Sequence, residues 1–547
     1  MEPTATAPAR AEGIAPPPPP AAPTRATARN TAIFSVLTGL SRIAGLAREI
    51  VASSYFATSG AFSAFTIAFQ VPNVVRSLFA DAALSAAFVP VFTELLEQGR
   101  RRDAFKLAST LFFLILTVLG AITVLFVAFA GVIMPIFVGS QLAGLTDLTV
   151  GLSRVLFPVV LILGLNGLAV GILNSYDHFT IPALSPLVWN AVILVCLVGS
   201  QQILTGDEQL YGYAVGVLIG TIVQFAMAIP ILRRLGFELE LSFDFRDERV
   251  RKVLRLMLPV TIGLGLINFN VLINSTLGSL VSEGAPRAID AAFRIYMLPQ
   301  GMFSVAIATV LFPALSRYAA RRDFDGLRHL TATGMRQIFL LLIPAAAATI
   351  ALATPITRLI YQHGNFGTSS TDLVSSALFW FAFSLPFSGV NLLLTRTFFS
   401  LQKPWITTGI AGLNLGVNVG VSVALYKPFG IPGIVIGTAV ASAAMTLAQV
   451  YFLRRELHGR LDVKRTLVVV AQIVAASALL GGVVYGLWYV LDHALGVGLI
   501  AQLISVGTAL LVGAVVYAAA VLAVRIPEAW QIERLVMGRL RGTAGGS

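Results

Sequence analysis

Apolar residues run along this chain in long unbroken blocks rather than in the one-sided stripes of a water-facing helix. Fourteen blocks are readable, over 32–55, 62–94, 104–135, 148–174, 182–200, 210–232, 256–280, 290–316, 336–360, 372–400, 405–426, 432–453, 466–490 and 497–524. Most approach the roughly 20 residues an α-helix needs to cross a hydrocarbon core about 30 Å thick. A helix also satisfies its own backbone polar groups, as lipid requires. The pattern predicts an all-α polytopic membrane protein with about 14 transmembrane helices. The second block is long enough to tilt, or to bend at Pro72. The opening MEPTATAPARAEGIAPPPPPAAPTRATARN lacks the apolar core of a signal peptide, and its Pro/Ala content predicts a disordered cytoplasmic tail over 1–30.

Composition agrees. Hydrophobic residues make up 56% of the 547 and charged residues 12%, with a mean hydropathy of +0.84. A soluble domain carries roughly 25% charged residues, so a soluble enzyme, a disulfide-stapled secreted domain and a disordered chain are all excluded. Cys196 is the sole cysteine, which removes disulfides and cysteine-ligated metals. A net charge of +12 invites a nucleic-acid partner, but the basic residues sit in short loops between apolar blocks, so none is expected. Their distribution instead gives an orientation. With the N-terminus inside, 29 Lys and Arg fall in cytoplasmic segments and only Arg287, Arg358 and Lys427 in external ones, which predicts cytoplasmic termini.

The chain also repeats itself at an offset of about 220–227 residues. Val71-Pro72-Asn73 matches Leu298-Pro299-Gln300, Arg101-Arg102-Asp103 matches Arg321-Arg322-Asp323, and Leu232-Arg233-Arg234 matches Leu453-Arg454-Arg455. Six spans per unit is an even number, so both units share one orientation, as in transporters built from parallel repeats. The expected organisation is an N-lobe over 31–235, a C-lobe over 256–455, two further helices over 466–525 and a cytoplasmic tail over 526–547.

Six arginines remain inside the blocks: Arg42, Arg48, Arg76, Arg154, Arg294 and Arg396. Each costs roughly 2.5–3.5 kcal/mol at a bilayer centre, so each must pair, snorkel or face a wet cavity. Arg42, Gly45 and Glu49 share one helical face, and Asn73 and Arg76 share another one turn after Pro72. Ion pairing of Arg42 with Glu49 and of Arg76 with Asp81, with Arg48 snorkelling, accounts for about half of this charge. The arginine excess points to a positive cavity at the repeat interface, suited to a phosphate-bearing amphiphile because guanidinium groups bind phosphate bidentately. Arg154 and Arg396 lie toward span ends, where snorkelling or lipid contact suits them. The five histidines show no metal-binding spacing, and no Walker sequence or nucleophilic triad is present. Gly-rich stretches such as GIPGIVIGTAVASAA read as close helix packing.

The segments SRIAGLARE (41–49), FQVPNVVRSLFADAALSAAFVPVF (69–92), ILNSYDHFTIPALSP (172–186) and RIYMLPQGMFSVAIATVLFPALS (294–316), with YQHGNF (361–366) and FFSLQ (398–402), resemble the MurJ (MviN) family of lipid II flippases. That family belongs to the multidrug/oligosaccharidyl-lipid/polysaccharide exporter superfamily, and the resemblance runs from about residue 31 to 525. It implies two pseudo-symmetric six-helix lobes around a cationic cavity, with two C-terminal helices forming a groove. It also implies alternating access that carries undecaprenyl-diphosphate-linked muropeptide (lipid II) from the inner to the outer leaflet of the bacterial cytoplasmic membrane, without catalysis. The family's functional arginines fall on Arg42, Arg48, Arg76 and Arg294; Asn73 joins them as a substrate-binding residue, and Glu49 and Asp81 as charge-balancing ones. Ser63 and Met297 stand where the family carries acidic residues, which leaves open how transport is coupled. No cofactor or metal is expected, and the drive is left to the membrane potential or an ion. The alternative is an exporter of drugs or of another polyprenyl-diphosphate-linked saccharide from the same superfamily.

Overall fold

The computed structural model describes residues 25–79, 82–244, 246–457 and 462–530. Asp81, most of the expected N-terminal tail and most of the C-terminal tail lie outside them. The first lobe comprises α1 (Arg25–Phe56), α2 (Gly60–Phe79), α3 (Ala82–Glu97), α4 (Arg101–Ile133), α5 (Thr146–Leu156), α6 (Pro158–Ser175), α7 (Thr180–Ile203), α8 (Glu208–Ala226) and the short α9 (Ile229–Arg234). The second comprises α10 (Glu248–Gly278), α11 (Ala285–Ala320), α12 (Phe324–Ala351), α13 (Ala353–Tyr361), α14 (Thr368–Ala382), α15 (Leu385–Ser400), α16 (Pro404–Phe429) and α17 (Ile431–Glu456). The hairpin α18 (Val463–Leu495) and α19 (Leu499–Ala523) follows. Residues 25–30, expected in the disordered tail, are helical and open α1.

Among the described residues, 11 helices are long and apolar enough to cross a membrane, or up to 12 if the bent pair α14–α15 is one span. The expected first and second spans, α1 and α2–α3, fall outside that set. Arg42, Arg48 and Glu49 on α1 and Arg76 on α2 dilute the hydropathy of those helices, and α3 is only 16 residues long.

Helix boundaries follow local chemistry. The Asp247 side chain accepts the Arg249 N–H at 2.8 Å and Asp323 accepts the Gly326 N–H at 2.9 Å, satisfying backbone donors that a first helical turn leaves free. Each lobe breaks one element at a proline: Pro158 begins α6 directly after α5, and Pro386 stands at the start of α15, where α14 and α15 bend by 51°.

The packing partners repeat. In the first lobe α7 lies against α1 and α8, α2 against α5, and α3 against α4 and α6. In the second, α16 lies against α10 and α17, and α11 against α12, α14 and α15. Gly433 and Gly437 let α17 meet α16 closely, since a β-carbon on either would run into Leu425 O or Ser422 Oγ. Two of the three glycines of GIPGIVIGTAVASAA therefore serve helix packing, and the first, Gly430, makes the turn between α16 and α17 at φ +61°.

The two seams between the lobes differ. Along one, α10 packs against α2 and α3. Amides on opposite faces of α10 bond both ways: Asn268 accepts from Asn73 Nδ2 at 3.2 Å, while Asn270 donates to Asn414 at 3.2 Å and Asn274 accepts from Asn418 at 2.8 Å. Along the other seam α1 and α11 pack at most weakly. There the links gather at one end, where Asn365 donates its backbone N–H to Ser54 O at 2.8 Å and its side-chain amide to Tyr55 O at 2.9 Å. The Thr58 and Ser370 hydroxyls meet at 2.7 Å close by. Toward the end bearing the Arg-rich loops, Val36 and Ile43 of α1 and Met302 and Val310 of α11 are exposed. The cleft is closed at one end and open at the other.

The hairpin is fastened to the second lobe at both ends. Arg336 of α12 pairs with Glu528 just beyond α19, both 2% exposed, and Arg358 of α13 pairs with Asp492 of α18. Tyr517 Oη donates to Leu340 O at 2.7 Å between them. Arg336, expected in a cytoplasmic loop, is thus buried within α12.

Candidate cationic translocation site

Glu49 lies at the inner end of the open cleft and is 3% exposed. It pairs with two arginines of α11: Arg287, and Arg294 with Nη1 at 3.4 Å. Asp290, on the same helix, accepts from both, at 3.0 Å from Arg287 Nη1 and 2.8 Å from Arg294 Nε. Positions 287, 290 and 294 stack on one face of α11, so two carboxylates and two guanidiniums form one cluster across the α1–α11 seam. Arg294 keeps 38% of its side chain exposed, whereas Arg287 keeps 2%.

Arg48, one residue before Glu49, points to the other side of α1. Its guanidinium sits 4.8 Å from the centroid of Trp189 on α7, with only 9% of the residue exposed. Its Nε is buried without a hydrogen-bond partner among the described residues. A buried donor left open is costly, and this one lies on the α7 side of α1. Trp189 is itself held by Nε1 donating to Thr221 on α8 at 3.0 Å. Arg42, two turns earlier, is exposed, and its Nη1 lies 3.9 Å from where a β-carbon on Gly301 of α11 would stand. The expected Arg42–Glu49 pair is replaced by the pairs from α11, because Arg42 extends along the cleft instead.

Arg76 and Asn73 meet as their spacing predicts: Asn73 Oδ1 accepts from Arg76 Nε at 3.0 Å and from Nη2 at 2.8 Å. Asn73 in turn donates to Asn268, so Arg76 is placed on the α2–α10 seam, while Glu49, Arg287 and Arg294 meet on the α1–α11 seam. Arg154 is exposed and donates to Val127 O at 3.3 Å. Arg396 donates to Thr309 at 2.9 Å and lies 5.9 Å from the Phe312 ring. These two belong to span edges rather than to the cluster. Ser63 is fully buried and its hydroxyl accepts the Arg287 backbone N–H at 3.4 Å, capping a first-turn donor of α11 from the other lobe. Met297 is exposed on α11, a turn beyond Arg294.

Sequence reasoning missed Arg287 and Asp290. Arg287 counted as an external loop residue, but α11 begins at Ala285 and carries it straight into the protein. The signal was present: APRAIDAAFR repeats the i, i+3, i+7 stripe that singled out Arg42 and Glu49. Asn268 was missed as well, since an isolated amide in an apolar block has no pattern to betray it.

A separate apolar cavity of about 650 Å³ lies between the second lobe and the hairpin, lined by Met335, Phe339 and Ile343 of α12, Phe387 of α15, and Val470 and Val474 of α18. No group of His, Cys, Asp and Glu able to hold a metal occurs among the described residues.

The chain is similar to known proteins in sequence and in fold. A probable lipid II flippase MurJ from Rhizobium tropici is 30% identical, covering 84% of this chain and 86% of its own. Its counterpart from Treponema pallidum is 28% identical over 77% of this chain and 81% of its own. A solved lipid II flippase MurJ in its inward closed conformation superposes with a TM-score of 0.75 at 23% identity, over 89% of this chain and 98% of that one, which establishes the fold. The family model described as lipid II flippase MurJ matches residues 52–506, and the chain belongs to that family.

Proposed function

We propose that this protein flips lipid II, a polyprenyl-diphosphate-linked muropeptide, from the inner to the outer leaflet of the cytoplasmic membrane by alternating access. The observation that carries this reading is the charge cluster of Glu49, Asp290, Arg287 and the part-exposed Arg294 at the seam between the lobes, with Arg48 next to Glu49 in the chain. Guanidinium groups bind phosphate oxygens bidentately, and a diphosphate offers enough of them to engage two or more arginines. Arg42 lines the approach, and Asn73 orients Arg76 on the α2–α10 seam, from which it would meet the headgroup. The apolar cavity against α18 suits the polyprenyl chain, which would remain in a lipid-like environment while the headgroup moves. With the basic loops in the cytoplasm, the open end of the cleft faces the leaflet where the precursor is made. No cofactor enters this account; the membrane potential or an ion supplies the drive.

The test is depletion of a host's own lipid II flippase with this protein supplied. Restored growth together with restored outer-leaflet precursor is the expected result. Rescue of drug resistance without rescue of growth would instead favour an exporter of the wider superfamily.

A further inference from the structure

Arg287 and Arg336 are the two largest fully buried side chains among the described residues, and Arg287 belongs to the second lobe while most of its partners belong to the first. Its guanidinium pairs with Glu49, donates to Ser53 Oγ at 2.7 Å and lies 4.2 Å from the Phe62 centroid, while its own backbone N–H reaches Ser63. One residue of α11 is therefore plugged into both α1 and α2, at the closed end of the α1–α11 seam.

Counting charge across that seam gives the consequence. Closed, the cluster holds Arg287 and Arg294 against Glu49 and Asp290, and is balanced. If the seam parts at this end, Glu49 leaves with α1, and the second lobe keeps two guanidiniums with Asp290 alone. A buried charge stripped of its partner is strongly unfavourable, so the empty protein is held shut. An anion resting on Arg294 supplies the charge that Glu49 withdraws. We propose that Arg287 is a positioning residue that locks the outer end of the seam, and that the diphosphate of the substrate releases the lock by replacing Glu49 as counter-charge. This rests on the diphosphate-bearing substrate proposed above. Arg287 itself need not touch that substrate; it acts through Glu49 and Asp290.

Cysteine cross-linking tests it in purified, lipid-reconstituted protein carrying Cys196→Ser. The Thr58→Cys/Ser370→Cys pair, built where two hydroxyls stand 2.7 Å apart, reports closure of the outer seam by its disulfide yield. The Thr110→Cys/Ser242→Cys pair, built where two hydroxyls stand 2.8 Å apart near the basic loops, reports the integrity of the fold away from it. Arg287→Gln should lower the first yield several-fold and leave the second unchanged, and Arg287→Lys should recover much of the first. In protein retaining Arg287, a polyprenyl diphosphate should lower the first yield and an uncharged polyprenol should not. Full Thr58–Ser370 cross-linking in Arg287→Gln, loss of both pairs together, or a diphosphate without effect would each overturn the proposal. A flippase-depleted host left unrescued, with all these cross-linking responses intact, would count against lipid II as the substrate and not against the lock.

Discussion

The guanidinium of Arg48 on α1 lies over the indole of Trp189 on α7, 4.8 Å from the ring centroid, and the indole is pinned in turn by Thr221 on α8. The aromatic face holds the cation without using up its hydrogen-bond donors, and Nε is buried there with no partner among the described residues. A cation–π contact contributes about 0.5–2 kcal/mol. Trp189→Leu should therefore weaken precursor binding by roughly 2- to 30-fold with normal membrane abundance. Binding of labelled precursor by purified protein checks this, and unchanged affinity would reduce Trp189 to a packing residue.

Single alanine substitutions at Arg42, Arg48, Arg76 and Arg294 should abolish or severely reduce flipping while the protein still inserts. Charge-assisted hydrogen bonds contribute about 1.5–3 kcal/mol each, and lysine, which lacks the planar fork, should rescue only in part. Arg154→Ala and Arg396→Ala should be milder, since both groups bond locally at span edges. Complementation at matched abundance, alongside precursor binding, separates these outcomes. Four alanine variants that bind and flip normally would make the arginines structural.

Orientation is open to direct labelling. In a Cys196→Ser background, Thr368→Cys should react with an impermeant thiol reagent added to intact cells, and Arg102→Cys should not. The reverse pattern would invert the protein in the membrane, and with it the direction of the open cleft.

The hairpin clamp gives a stability prediction. Glu528→Ala leaves Arg336 buried and unpaired, which typically costs 3–5 kcal/mol; the double change Arg336→Met/Glu528→Leu should recover most of the loss. Thermal unfolding in detergent reads both. Equal destabilisation by the single and double variants would mean that packing around Arg336, not its charge, fastens the hairpin.

Acid should loosen the start of α10. The Arg249 guanidinium hydrogen-bonded to Asp247 holds that carboxyl below the usual aspartate range, and the carboxylate also caps the helix. A lowered folded value means the contribution is complete above the ordinary pKa of about 3.9 and disappears as pH falls through the folded one. Asp247→Asn should flatten this part of the acid limb and change little near neutrality, as unfolding midpoints between pH 3 and 7 would show.

Much of this was legible in the sequence, for physical reasons. Lipid forbids unsatisfied backbone, so long apolar blocks can only be helices, and the duplicated Arg-Arg-Asp and proline signatures fell where the structure has equivalent helices and packing partners. The insertion cost of arginine singled out Arg48 and Arg294, and spacing paired Asn73 with Arg76. What could not be read was which helix would answer each charge. Glu49 looks toward Arg42 along its own helix, yet its partners come from a helix more than two hundred residues away. Arg287 was lost to a boundary error of a few residues, enough to move a buried charge into a loop. Amides such as Asn268 carry no insertion penalty large enough to stand out, so their roles emerge only from contacts.

Asn268 and the pair Asn270 and Asn274 make α10 a member of both lobes at once, bonded to α2 on one face and to α16 on the other. A door hung on one post swings widest at its free edge. Rotation of one lobe about α10 would leave the α2–α10 contacts nearly still and give the largest displacement to the distant edge, where α1 meets α11. A cargo with a bulky polar head and a long hydrocarbon chain could then pass through that edge sideways, its head sheltered between the lobes and its chain never leaving the oil.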